Sequence, residues 1–366
     1  MTSPAEIFAR LGGDIVDPPI TMRASQPLEL SGEAVRARLC VFVNEMGEEC
    51  ALRPDLTLPV ALAQAEQGVS GETVKRYAAR AFRLPVVPGD ALEFTQVGFE
   101  RYGAPSTAET DAESFALVCE AAEAAGANAC DARMGDLAVF PAFVDALGLA
   151  PGLADALKRA FRQAGGVSAL LKPGASQPAH GLAARLKGAA PEEAKAIVSD
   201  IFALSGIQPQ GHRTLDEIVE GLLAQAADAE HGAAPDTARQ TLEAVMAVNC
   251  PPAQAADKLL AISRQAGLEG LDPVLERLQA RTDRMASLAP DFMKTARFGT
   301  PFGRRFNYYD GFLFELFLPG EADGRRPFGA GGRYDTLLAR LSGGDVDTTA
   351  IGGVVRPDRL TSGGTA

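Results

Sequence analysis

Phe94-Thr-Gln-Val-Gly-Phe-Glu-Arg-Tyr-Gly103 sets polar or small residues in alternation with apolar ones. Side chains of a strand point to its two faces in turn, so an extended run from Phe94 to Arg101 puts Gln96, Gly98 and Glu100 on one face. Thr95, Val97 and Phe99 fall on the other and suit burial against helices, so the polar row is more than a solvated side. An amide and a carboxylate flanking a glycine read as a pocket floor, with the glycine leaving room for a small ligand. Two further segments belong to the same reading: Leu52-Arg-Pro-Asp-Leu-Thr57 upstream and Gly331-Gly-Arg-Tyr-Asp335 far downstream.

Working outward, the 366 residues suffice for one large domain or two ordinary ones, and 46% hydrophobic composition supplies their cores. The 35 basic and 47 acidic residues leave a net charge of -12, which opposes broad attachment to nucleic acid or anionic membrane. Met1-Thr-Ser-Pro-Ala-Glu lacks a basic region leading into an apolar run, and no segment has bilayer-spanning length, so a cytoplasmic location is expected. Five cysteines (Cys40, Cys50, Cys119, Cys130, Cys250) are scattered without a C-x-x-C pair, and the three histidines (His180, His212, His231) show no ligand spacing. No metal or other cofactor is expected. His180 and His212 stand beside Pro or Gly and read as surface loop residues.

Pattern divides the chain into three zones. Up to residue 150, short β-rich runs such as Leu39 to Val43 and Glu93 to Phe99 are punctuated by Gly and Pro, with helices over Thr57 to Glu66, Glu109 to Ala125 and Leu137 to Leu147. Residues 151–289 are rich in Ala, Leu, Glu, Arg and Gln at helical spacing and read as a helical insertion. From 290 to 366 β structure returns, with Phe312 to Leu318 and Ala350 to Val355 as strands and Tyr334 to Leu341 as a helix. Sheet, helices, sheet is an interrupted α+β domain, residues 1–150 and 290–366, around the insertion.

Taken in order, Leu52 to Thr57, Phe94 to Gly103, Arg304-Arg-Phe-Asn-Tyr-Tyr309, Gly331 to Asp335 and Ala350 to Leu360 resemble the catalytic core of histidyl-tRNA synthetase. The resemblance covers roughly Gly12 to Leu360, the helical zone matching that family's insertion in position only. It implies the class II aminoacyl-tRNA synthetase-like fold, an antiparallel sheet flanked by helices. It also implies a histidine pocket: Asp55, Thr57, Gln96 and Glu100 around the ammonium and imidazole, Arg83 and Arg304 toward the carboxylate, and Tyr309 and Tyr334 closing on the ring. Such a donor and acceptor set is what a free amino acid demands. Singly, Arg53, Asp55 and Glu100 are compatible with a buried ion network and the tyrosines with core aromatics; as a set they read as a pocket.

The departures from the synthetases matter as much. Asp55 stands where a glutamate is usual; Arg83 is followed by Leu-Pro-Val-Val-Pro-Gly89 in place of His-Glu and a basic ATP loop; and Arg356-Pro-Asp-Arg359 stands where Gly-Leu-Glu-Arg is expected. Stabilisation of the charge that develops during adenylation would be poor. An anticodon-binding domain of roughly a hundred residues, ordinary for a domain, would have no room after the third motif. The whole chain is similar to the regulatory subunits of short-form ATP phosphoribosyltransferase, to which Leu52-Arg-Pro-Asp-Leu-Thr-Leu-Pro59 lies nearer than to the synthetases. That resemblance implies a noncatalytic subunit without tRNA or membrane partners. It would form a homodimer through its core, join the catalytic subunit in a hetero-octamer, support that subunit's activity and take part in feedback inhibition by L-histidine. Two other readings stay open: a truncated synthetase-like enzyme that adenylates histidine or a related amino acid, and a free-standing amino-acid-binding module.

Overall fold

In the computed structural model, Glu93–Tyr102 is a strand buried on both faces near the middle of a nine-stranded sheet. Residues 2–30, 33–85, 91–163, 165–172, 182, 185–186, 188–205, 215–228, 234–303, 308–321 and 326–361 are described. The first strands in chain order are β1 (Asp14–Ile15), β2 (Thr21–Arg23), β3 (Val41–Val43), β4 (Glu49–Leu52), β5 (Thr73–Phe82) and β6 (Glu93–Tyr102). Then follow β7 (Asp131–Asp136), β8 (Asn249–Cys250), β9 (Arg297–Gly299), β10 (Phe312–Phe317), β11 (Gly329–Arg333) and β12 (Ala350–Val355).

The large sheet runs β1-β5-β6-β12-β11-β10-β7-β9-β8, antiparallel throughout except for β1 beside β5 and β7 beside β9. β2, β4 and β3 form a separate three-stranded antiparallel sheet, in which Cys50 pairs with Phe42. The apolar face of β6 is covered by helices, as its alternation predicts. Phe99 meets Phe8 of the helix Pro4–Ala9 with ring centroids 5.1 Å apart. That short helix starts on a capping box, Ser3 accepting from the Glu6 amide while the Glu6 carboxylate accepts from the Ser3 amide. The helix Ala108–Ala124, capped by Thr107, lays Phe115 edge-on to Phe314 of β10 at 4.9 Å. Each such fully buried ring contributes about 2 kcal/mol from apolar area removed from water.

The chain folds as two compact units, residues 1–139 with 245–366 and residues 140–244. The helical stretch is therefore narrower than the 151–289 expected from composition. The helices Ala255–Gln265 and Asp272–Leu288 belong with the sheet, because Arg281 is buried and pairs with Asp111 of the helix Ala108–Ala124 and with Asp136 of β7. Helical composition alone does not reveal which core a helix serves. The second unit has its own cluster, Leu186, Ala194, Val198 and Val219, and a stacked pair, Phe140 on Phe161 at 4.4 Å. The expected helix from Tyr334 begins only at Leu337; Tyr334 to Thr336 form a turn whose Asp335 and Thr336 amides donate to Asp310. His180, His212, His231 and Arg304 lie outside the described residues.

Candidate functional site

β6 fixes the site because its polar face looks away from the helices. Glu100 is fully buried there and its two oxygens are divided between two tyrosines: Tyr77 of β5 donates to Oε1 at 2.8 Å and Tyr334 donates to Oε2. The Thr57 hydroxyl, at the start of the helix Thr57–Gln67, adds a third bond. Burial pushes the Glu100 carboxyl up to about 7; the three hydroxyl donors oppose that shift and the nearby Asp55 carboxylate adds to it. Both tyrosine hydroxyls are pushed well above their ordinary range, first by burial and then by Glu100, so they remain donors.

The neighbouring strand is cut to fit. Gly352 of β12 pairs with Glu100, and a Cβ there would collide with the Glu100 carboxylate. Gly98 pairs with Tyr77, and its Cβ would lie 2.7 Å from both the Gly353 carbonyl oxygen and Tyr77 Cε2. The space that sequence reasoning reserved for a ligand above Gly98 is thus taken by the Tyr77 ring. Between Gly98 and Asp55, Gln96 accepts from the Leu56 amide at 2.9 Å through its side-chain oxygen. Asp55 caps the helix Thr57–Gln67 by accepting from the Leu58 amide at 3.0 Å and turns its other oxygen to Arg83 Nη2 at 3.7 Å.

Asp55, Thr57, Arg83, Gln96 and Tyr309 line one cavity of about 120 Å3, with Glu100 and Tyr334 immediately behind its wall. Tyr308 joins them, its ring 4.5 Å from that of Tyr309 and edge-on to Tyr334 at 6.1 Å. Seven of the eight expected site residues therefore gather in one place, Arg304 being the eighth. Arg53 does not join Asp55 or Glu100 in an ion network; it donates to the Arg80 carbonyl at 2.7 Å and to Pro18.

Besides Tyr308, the cavity wall brings in the charged residues Glu315, Arg356 and Arg359, which were not expected as site residues. Glu315, the one charged side chain in Phe312–Phe317, is buried and carries a carboxyl pushed up to about 7 by burial against the pull of Arg356, Arg83 and Arg359. Arg83, Arg356 and Arg359 all stand over the Phe94 ring, at 5.6, 5.8 and 5.7 Å from its centroid. Arg356 is 6% exposed, donates to the Pro327 carbonyl at 2.7 Å, and is lowered to about 10 by burial and by Arg83. A lone carboxylate in an apolar strand was the available signal for Glu315. For Tyr77 it was a tyrosine set opposite a glycine, legible only once the register is known.

The cavity presents the Gln96 amide and the Tyr309 hydroxyl together with Asp55 beside Arg83, one carboxylate and one guanidinium, so the arrangement suits a small zwitterion with a polar ring. This sheet and pocket define a class II synthetase core of the histidyl-tRNA synthetase type, and residues 2–197 and 194–360 match the sequence model of the histidyl-tRNA synthetase family. Among solved structures, a Bacillus halodurans ATP phosphoribosyltransferase regulatory subunit/histidyl-tRNA synthetase aligns over 99% of this chain and 77% of its own, with TM-score 0.65 and 18% identity. A histidyl-tRNA synthetase from Nostoc sp. aligns over 98% and 69%, with TM-score 0.57 and 17% identity. At those identities the likeness is one of fold. Curated relatives are nearer in sequence: proteins of Chelativorans sp. and Allorhizobium ampelinum share 30% and 32% identity over 98% and 96% of this chain and 95% and 94% of theirs. Both are named ATP phosphoribosyltransferase regulatory subunit. The chain belongs to this family of histidine biosynthesis.

Proposed function

We propose that the chain is a noncatalytic subunit that joins a short-form ATP phosphoribosyltransferase catalytic subunit, raises its activity, and takes L-histidine as the feedback signal in the pocket of Asp55, Thr57, Arg83, Gln96, Glu100, Tyr309 and Tyr334, with Arg304 toward the carboxylate. The observation that carries the pocket is the convergence of Asp55, Thr57, Arg83, Gln96 and Tyr309 on one cavity, with Glu100, held by Tyr77 and Tyr334, fixing Tyr334 behind its wall. The histidine carboxylate then meets Arg83, and its ammonium meets Asp55. The buried Arg356 guanidinium over Phe94 fills space that a nucleotide would need, which favours a sensor over an adenylating enzyme. Assembly as a core-mediated homodimer within a hetero-octamer, in the cytoplasm and without tRNA, completes the reading. Histidine regulates only if it binds two states of the assembly unequally, a coupling of about 1 to 3 kcal/mol in typical cases.

The test is phosphoribosyl-ATP formation by the catalytic subunit alone, with this chain, and with this chain plus histidine. Activity should rise on mixing and fall again with histidine. No gain on mixing defeats the regulatory role, and histidine-driven pyrophosphate exchange by the isolated chain would restore the enzyme reading.

A further inference from the structure

Both pocket tyrosines sit next to acidic or basic residues of one largely buried network. Tyr334 lies between Arg333 and Asp335, and Tyr309 precedes Asp310. Arg333 is 1% exposed; its Nε donates to Asp111 Oδ1 at 2.8 Å, its Nη1 to Asp335 Oδ1 at 3.0 Å, and its Nη2 to the Pro105 carbonyl at 3.3 Å. Asp335 also accepts from the Ala350 amide at 2.8 Å and, through its amide, donates to Asp310 Oδ1 at 3.0 Å. The Asp310 amide returns a bond to the Arg333 carbonyl at 3.1 Å, so the two tyrosine segments are tied to each other. At the far end Asp111, fully buried, accepts from Arg281 Nη1 at 3.1 Å, and Arg281 Nη2 donates to Asp136 at 2.6 Å.

Buried ion pairs of this kind are seldom the cheapest way to stabilise a core, because desolvating the charges offsets most of their attraction. What they supply is direction: each guanidinium bond fixes an angle as well as a distance. We propose that Arg281, Asp111 and Arg333 are positioning residues of the pocket, holding Tyr334 on Glu100 and Tyr309 beside it from a helix, Asp272–Leu288, that contributes no wall to the cavity. Its affinity readout rests on the histidine reading above; its second readout does not.

The experiment uses the full chain with Arg281→Met, which keeps length and apolar contact with the Phe312 ring while removing the charge, and with Arg281→Lys. In the ligand-free protein, the Glu100 carboxyl is titrated by carbon-13 NMR of labelled glutamate, assigned with Glu100→Gln. The groups facing that carboxyl are Tyr77, Tyr334, Thr57 and Asp55, with the Tyr102 and Tyr309 hydroxyls also close enough to feel its charge. Displacing the Tyr334 donor, which favours the charged form, moves the midpoint upward from about 7 in Arg281→Met, and Arg281→Lys brings it back. Histidine affinity by calorimetry weakens about tenfold in Arg281→Met, the loss expected for one displaced hydrogen bond to a charged group. A folded Arg281→Met with the wild-type midpoint and affinity overturns the proposal. Should that variant not fold, Asp335→Asn cuts the same network at a partly exposed carboxylate, 29% accessible, and is read the same way. If wild type binds no histidine, the functional reading fails while the titration still decides this one.

Discussion

Glu100 gives the fold a dependence on pH that runs opposite to ordinary acid denaturation. Its carboxyl is at about 7 in the folded chain against 4.5 for an unperturbed glutamate. A group whose folded value is raised contributes stability that is whole below the unfolded value and is lost as pH rises through the folded one. With those two values, the loss between pH 5 and pH 8 is about 2 to 3 kcal/mol, at roughly 1.4 kcal/mol per unit where both states titrate fully. Glu100→Gln removes the titration and keeps an acceptor for one tyrosine. The measurement is urea unfolding at pH 5 and pH 8, followed by near-ultraviolet circular dichroism. The tyrosine band of that signal reports on one of the two structural units: the chain has no tryptophan, and its five tyrosines, at 77, 102, 308, 309 and 334, all belong to the unit that holds the sheet. Wild type should lose free energy from pH 5 to pH 8, and the variant should lose about 2 to 3 kcal/mol less. Equal losses in the two proteins would show that Glu100 titrates where an exposed glutamate does, and the burial and tyrosine bonds described above would be wrong.

Other substitutions probe the same geometry from different sides. Gly98→Ala, whose new Cβ would lie 2.7 Å from the Tyr77 ring and the Gly353 carbonyl, should cost about 1 to 3 kcal/mol by urea unfolding. Tyr77→Phe deletes one donor to Glu100 and should weaken histidine roughly ten- to 150-fold in a calorimetric titration, the about 1.5 to 3 kcal/mol of a hydrogen bond to a charged group. Glu315→Gln removes a second carboxyl held near 7, so its urea midpoint should likewise fall less than that of wild type between pH 5 and pH 8.

The polar row of β6 was legible because alternation is a property of the sequence itself: Gln96 and Glu100 share a face however the strand is paired. Burial of Val97 and Phe99 followed from the same period, whereas Thr95 is only half-buried and gives its amide to Asp358. What sits across from that row was not legible, since pairing between β5 and β6 depends on register, and β5 reads weakly as a strand. Its Thr73-Val-Lys-Arg-Tyr-Ala-Ala-Arg-Ala-Phe82 mixes alanines and arginines that suit helices equally well. Tyr77, which fills the space above Gly98, was therefore invisible, and that space was read as room for a ligand. The helix Asp272–Leu288 was grouped with the insertion because its composition is helical; only the buried partners of Arg281 assign it to the sheet. The pocket residues were recognised through resemblance, and their convergence needed three strands and a turn to be placed in space.

β12 carries two adjacent glycines that serve opposite sides of the sheet. Gly352 clears the Glu100 carboxylate, and Gly353 clears Val118 of the helix Ala108–Ala124 and the Phe99 ring. Neither position can acquire even a methyl group without moving something packed, one on the ligand side and one on the core side. The middle of this strand is thus closed to gradual change. Any change in the shape or charge of the cavity has to come through its rim, at Asp55, Arg83, Tyr308 and Glu315, where side chains border the space and a substitution reshapes it without first breaking the sheet.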